Sequence, residues 1–329
     1  MAAVNRIVRL DLLAHGKEIA REYYGILTLR QLYYQCVARG HSPNSQKDYN
    51  RLKDIISEAR MAGAFPFDWL IDRSRTVHSG AYNHRSADVA DALENAAQAV
   101  ANTPYWYLSA AKWWGQKTHV SVWVEKEALA GVFEGPCQRL GVSWFACKGY
   151  PSLSSLWAWV KQVETTVVAA EADGWGGLDK IVIVYFGDHD PDGYQIHKTA
   201  LRTVREIAGL EGIDLPPITL ERAALNRAQI EQYNPPPMPA KKSSPRFVRY
   251  AADHPWTKGA DGKERAWELD ALRPEQLDKL IRTKVAAHYD RPRHDEVQAV
   301  IEERRVEMRA EMKAGGWLQD ALDRIADGE

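Results

Sequence analysis

Residues 181–186 form an unbroken apolar run, Ile-Val-Ile-Val-Tyr-Phe, dominated by β-branched side chains. A run of that length without polar alternation is the habit of a strand covered on both faces, as in parallel sheets. Residues 119–124 (His-Val-Ser-Val-Trp-Val) read as a second strand, and residues 142–146 and 214–220 as two shorter ones. Between them, residues 128–140, a stretch through Trp157 and Val163, and residues 194–210 read as helices, with a turn at Gly149-Tyr-Pro151. Strands alternating with helices predict an α/β domain on a parallel sheet, in which every strand ends on the same edge.

The N-terminal part follows another pattern. Residues 27–35 read as a helix with Thr28 as its N-cap. A turn at 40–43 leads to a second helix over 45–60, where Leu52, Ile55, Ile56 and Ala59 share one face. Gly63 ends it, and residues 65–71 followed by Asp-Arg-Ser-Arg at 72–75 suit a short wing. Helix, turn, helix and wing together are a DNA-docking arrangement. The junction is expected between residues 92 and 117, where an Ala-rich helix gives way to Thr-Pro-Tyr-Trp at 103–106, giving domains of 1–105 and 106–329. Residues 233–245 are a proline-rich, extended loop carrying Lys241 and Lys242, and residues 294–327 a charged helix with Val297, Val300, Ile301, Val306 and Met308 along an apolar stripe that is expected to pack.

Chemistry concentrates where the long strand stops. Gly187 breaks the run, and Asp188, Asp190 and Asp192 follow at spacings of two. Alternate residues of an extended backbone point the same way, so Asp188 and Asp190 converge if the extension persists. Close carboxylates repel unless a cation lies between them or one keeps its proton. The strand over 119–124 likewise ends in Glu125, followed by Lys126 and Glu127. Ligands of parallel sheets gather at the edge where strands end. Taken singly, the Asp-x-Asp is also consistent with a solvated acidic turn. Carboxylates from two strand ends favour a hard cation, Mg²⁺ first and Mn²⁺ second.

Val-Trp-Val-Glu-Lys at 122–126, followed about sixty residues later by Gly-Asp-His-Asp-Pro-Asp-Gly at 187–193, resembles the Toprim fold of topoisomerases, primases and some nucleases. The closer resemblance is to the A subunit of topoisomerase VI and the related meiotic double-strand-break protein. The resemblance implies a Mg²⁺ site at Glu125, Asp188 and Asp190, with Asp192 as an accessory carboxylate. His189 stands where that family often has glycine. Leu-Thr-Leu-Arg-Gln-Leu-Tyr-Tyr-Gln at 27–35 is similar to the helix bearing the family's catalytic tyrosine, here Tyr34. Arg30, four residues earlier on the same helical face, is placed to hold the phosphate under attack. Tyr34 and Tyr33 also fit an aromatic pair packed in a small core, as Tyr23 and Tyr24 do. Trp-Glu-Leu-Asp-Ala-Leu at 267–272 resembles a family segment beyond the metal site, which brings Glu268 and Asp270 into consideration. The implied fold is α/β and α: an N-terminal winged-helix (helix-turn-helix) domain, then a Toprim-like domain with a parallel central sheet. The resemblance covers residues 25–75 and 118–275, and is similar in compass to compact phage- and plasmid-type A subunits.

Charge sharpens this picture. The net charge is −1, but residues 1–87 hold 13 Lys and Arg against 8 Asp and Glu, and the remainder 30 against 36. A basic end is where phosphate contacts are expected, with Arg30, Lys47, Arg51, Lys53, Arg60, Arg73 and Arg75 as the candidates. Cys36, Cys137 and Cys147 have no ligand spacing and leave one thiol over from any disulfide, so a reducing cytoplasm is expected, and the DNA-binding function that the resemblance implies would make the protein nucleoid-associated. No long apolar run calls for a membrane. The implied activity is that of a type IIB topoisomerase A subunit: Mg²⁺-dependent double-strand cleavage of DNA by a homodimer, through a 5′-phosphotyrosyl link, in which the tyrosine of one subunit completes the metal site of the other. No ATP-binding motif is present, so strand passage would need a separate GHKL-type ATPase subunit. The alternatives are a Toprim nuclease using water and a non-catalytic DNA-binding accessory protein.

Overall fold

The structure, a computed structural model, describes residues 2–23, 27–70 and 89–317. Its described part is mixed α/β with a four-stranded, all-parallel sheet. By internal packing the chain divides into two compact units, the first comprising the described residues of Met1–Thr76, Thr118–Ala169 and Leu178–His288 and the second those of Val77–Lys117, Ala170–Gly177 and Tyr289–Glu329.

The first unit begins with α1 (Ala2–Glu22), α2 (Leu29–Ala38) and α3 (Gln46–Met61). Thr28 caps α2 through a capping box with Gln31, and Ser45 caps α3 by accepting from the Asp48 amide. Their shared core includes Ile19, Leu32, Tyr33, Tyr34, Leu52, Ile56 and Phe65. A short 3₁₀ turn, Phe67–Trp69, follows. The expected wing at 72–75 lies outside the described residues.

α4 (Val89–Tyr107) belongs to the second unit; the sheet starts with β1 (Thr118–Val124) and continues through α5 (Ala130–Leu140), β2 (Ser143–Ala146), α6 (Leu153–Ala172), β3 (Lys180–Phe186), α7 (Gly193–Leu210) and β4 (Ile218–Ala224). The strand order is β2-β1-β3-β4, with β1 and β3 paired along their whole lengths from Thr118 beside Lys180 to Val124 beside Phe186. Both faces of β3 are covered, as its unbroken apolar run demands. Ile181, Ile183 and Tyr185 pack with Trp159, Val163 and Val204 of α6 and α7, while Phe186 meets Phe133 of α5 edge-on. β4 begins at Ile218, later than the pattern at 214–220 suggests, because Pro216 and Pro217 lack the N–H groups a ladder needs.

Beyond β4 come α8 (Arg227–Tyr233), β5 (Met238–Pro239), α9 (Phe247–Asp253), β6 (Arg265–Ala266) and α10 (Pro274–Ala286). Within the proline-rich loop, β5 is extended and pairs antiparallel with β6, and a turn follows at its end. Between β6 and α10, the 3₁₀ turn Leu269–Ala271 places Ala271 in the core of α1–α3.

In the second unit, α4 packs with α11 (Arg291–Ala314). α4 runs on through Pro104 to Tyr107, where the pattern at 103–106 suggested a break; the Thr103 hydroxyl donates to the Ala99 carbonyl 3.1 Å away in the turn before the proline. On α11, Val297 and Ile301 are buried but Val306 is exposed, so only the first half of the stripe packs closely.

Candidate functional site

β1 and β3 end side by side, and the ladder carries one step further. The Glu125 amide donates to the Phe186 carbonyl at 2.8 Å and that of Gly187 to Ala224 at 2.8 Å. Glu125 and Asp188 are therefore neighbours on the sheet edge. Glu125 Oε2 accepts from the Asp188 amide at 3.0 Å and from the Tyr185 hydroxyl at 3.2 Å. Glycine is required on both sides of this carboxylate. A Cβ on Gly187 would stand 2.6 Å from Glu125 Oε2, and one on Gly193 would stand 2.5 Å from the Asp188 carbonyl. Asp190 Oδ1 accepts from the Gly193 amide at 2.6 Å, at the start of α7. Asp192 is drawn elsewhere: its Oδ1 takes the Ser244 hydroxyl and Arg246 Nη1, both at 3.0 Å.

A second cluster, joined to the first, surrounds Lys126. Its ammonium lies 3.0 Å from Asp188 Oδ2, 2.9 Å from Glu268 Oε2 and 2.8 Å from Asp270 Oδ1. Arg30 Nη2 donates to both Glu268 oxygens at 2.7 and 3.0 Å, and its Nε lies 3.0 Å from Asp270 Oδ2. The Tyr34 hydroxyl donates to Glu268 Oε2 and accepts from Arg30 Nη2 at 3.4 Å. A polar chain thus runs from Tyr34 through Glu268 and Lys126 to Asp188. What brings residues 267–270 here is backbone pairing: His189 and Trp267 exchange amide bonds of 2.8 and 3.0 Å, and the Leu269 amide donates to Asp188 Oδ1 at 2.8 Å. The buried ring of His189 packs among Tyr194, Tyr250, His254, Trp256 and Trp267, and desolvation lowers its pKa to about 3.

The two tyrosines of α2 have different surroundings. The Tyr33 hydroxyl lies 2.9 Å from the carbonyls of Pro43 and Ser45 and accepts from the Ser45 amide at 2.7 Å, which ties the α2–α3 turn. Tyr34 is buried but reaches charged groups. Burial, then the charges of Asp270 and Glu268, raise its pKa. Glu268 is held at about 2, since Lys126 and Arg30 outweigh its desolvation. The proton of the Tyr34–Glu268 bond therefore stays on tyrosine. Burial raises Asp270 to about 6 despite Lys126.

Of the basic residues expected on DNA, Lys47 and Lys53 are exposed on α3 and Arg51 is half-buried. Arg60 is committed to the fold: its Nη2 donates to the carbonyls of Phe67 at 2.9 Å and Leu70 at 3.0 Å. Arg73 and Arg75 lie outside the described residues.

Among the described residues no group of three or more His, Cys, Asp or Glu side chains is arranged to hold a metal ion. The ammonium of Lys126 stands against Asp188, while Glu125 and Asp190 each turn an oxygen to a backbone amide. The chemistry of the donors nevertheless fits a hard cation. All three are carboxylates, and burial followed by the charges of Asp188 and Asp190 pushes Glu125 up to about 8. Burial raises Asp188 and Asp190 as well. Added positive charge would lower all three.

No family model, curated protein or solved structure matches the chain. No helix among the described residues is long and apolar enough to cross a membrane.

Proposed function

We propose that this chain is a DNA-cleaving transesterase of the topoisomerase VI A-subunit kind, with α2 and α3 in a winged-helix DNA-binding domain and the sheet in a Toprim domain. The observation that carries the reading is the polar chain from Tyr34 to the sheet edge, which puts a phenol, two cations and the strand-end carboxylates of one unit in series. The Tyr34 oxygen forms the new bond to phosphorus, the 3′ oxygen leaves with a proton, and the 5′ phosphate stays on the enzyme. Arg30 holds the phosphate and favours the phenolate, which is otherwise disfavoured by burial. Glu125, Asp188 and Asp190 would hold a Mg²⁺ or Mn²⁺ ion, which would stabilise negative charge on the departing oxygen. Lys47, Arg51 and Lys53 supply phosphate contacts from α3. The reading carries with it duplex DNA as substrate, a homodimer that cuts both strands and a separate GHKL-type ATPase subunit for strand passage.

The raised pKa of Tyr34 favours a second reading, a Toprim nuclease in which water attacks and Tyr34 packs. Stopping a reaction of plasmid, protein and Mn²⁺ with detergent separates the two. Protein covalently attached to DNA ends is expected. Breaks with free ends belong to the nuclease, and intact DNA with binding retained to a non-catalytic accessory protein.

A further inference from the structure

Three donors aim at one carboxylate. Arg30 Nη2 reaches both oxygens of Glu268, Lys126 Nζ reaches Oε2 at 2.9 Å, and the Tyr34 hydroxyl donates to the same oxygen. A guanidinium, an ammonium and a hydroxyl around two oxygens of an anion are also what a phosphodiester would bind. Glu268 is only partly buried, whereas its neighbours Leu269 and Asp270 are fully enclosed, so the segment is anchored while this side chain borders open space. That space is a cavity of about 340 Å³ whose walls include Arg30, Tyr34, Asn44, Tyr49, Met238 and Glu268. Its size lies within the range of small-ligand sites. The guanidinium of Arg30 sits 5.8 Å from the Tyr34 ring centroid and 6.0 Å from that of Tyr49.

We propose that Arg30, Lys126 and Tyr34 form a phosphodiester site that the chain's own Glu268 occupies when DNA is absent, so that an entering phosphate must displace this carboxylate before Tyr34 can attack. The nature of the ligand rests on the transesterase reading; the occlusion itself rests on the geometry. Two anions cannot share these donors, because like charges brought together repel. Displacement breaks only hydrogen bonds and ion pairs.

The test compares wild type, Glu268→Gln and Glu268→Gln/Arg30→Ala, with inorganic phosphate followed by calorimetry and a short fluorescein-labelled duplex followed by anisotropy. Glu268→Gln keeps the shape and removes the charge. It should bind both probes about tenfold more tightly at low salt, and the gain should vanish with Arg30→Ala. Unchanged or weaker phosphate binding by a folded Glu268→Gln protein overturns the occlusion. Should that variant not fold, Glu268→Asp, which draws the carboxylate back by one methylene, is read instead; a smaller gain supports the proposal and no gain overturns it. Tighter phosphate binding with no duplex binding by any variant keeps the occlusion and defeats the DNA reading.

Discussion

Adjacent tyrosines on one helix point about 100° apart, and on α2 that difference separates a hydroxyl bound to a backbone turn from one that meets charged side chains. Tyr33 spends its hydroxyl on the turn at 43–45, so Tyr33→Phe should cost about 1 kcal/mol of stability in urea melts and leave DNA cleavage intact. Tyr34→Phe should abolish the covalent adduct, and adduct mapping by mass spectrometry checks both variants. A nucleotide found on Tyr33 or Tyr23 would show that the wrong hydroxyl has been chosen. The Asp-x-Asp and Glu125 were legible in the sequence because each directly follows a strand whose pattern is local. The partners of Asp192 and Arg60 were not legible, for the opposite reason. Their partners, Ser244 and Arg246 for one and two backbone carbonyls for the other, are set by loop paths that no periodicity reports. Glu125 also supports a pH prediction. With a folded pKa of about 8 against an ordinary 4.5, it keeps its proton at neutral pH in the cation-free protein. The stability this contributes is fully present below about 4.5 and is lost as pH rises towards 8. The Tm of wild type should therefore fall more steeply over that window than that of Glu125→Gln, and Mn²⁺ should remove the difference. Parallel curves without metal would mean that Glu125 titrates normally.

At the scale of elements, the parallel sheet was legible because its strands are covered on both faces and so carry no polar alternation. What was not legible is the pairing of His189 with Trp267, which joins two distant segments through backbone alone and brings Glu268 and Asp270 to Lys126. The resemblance had raised those two residues; their contact with Arg30 and Tyr34 needed the fold. α3 offers the sharpest separation of packing from binding. Its buried face is Leu52, Ile55, Ile56 and Ala59, as the periodicity predicts. If Arg51 and Lys53 contact phosphates, replacing both by Ala should lower the slope of log affinity against log salt by about 1.8, since each contact contributes about 0.9. Arg60→Ala should behave differently: the salt slope stays, while the lost bonds to Phe67 and Leu70 cost about 1–2 kcal/mol in a melt. Unaltered salt dependence in the double variant would make α3 ordinary solvated surface.

At the scale of the molecule, the proposed transesterase raises the question of which chain's carboxylates would serve which tyrosine. The resemblance implies a dimer in which the tyrosine of one subunit works on the metal site of the other. The contacts here run differently, since Tyr34, Glu268, Lys126 and Asp188 form one continuous polar chain within a single unit of a single protein. Under the proposed transesterase reading, each chain would then complete its own site, and a dimer would only bring two finished sites to opposite strands. Mixing two inactive proteins, Tyr34→Phe and Asp188→Ala, decides between the arrangements. If the site is built within one chain, each subunit of a mixed dimer lacks one essential group, and supercoiled plasmid stays intact. If it is built between chains, the mixed dimer holds one complete site, made of the tyrosine of the Asp188→Ala chain and the carboxylates of the Tyr34→Phe chain. It would then nick one strand. We expect no nicking. Nicked plasmid would show that Tyr34 leaves its own Glu268 to serve the partner subunit.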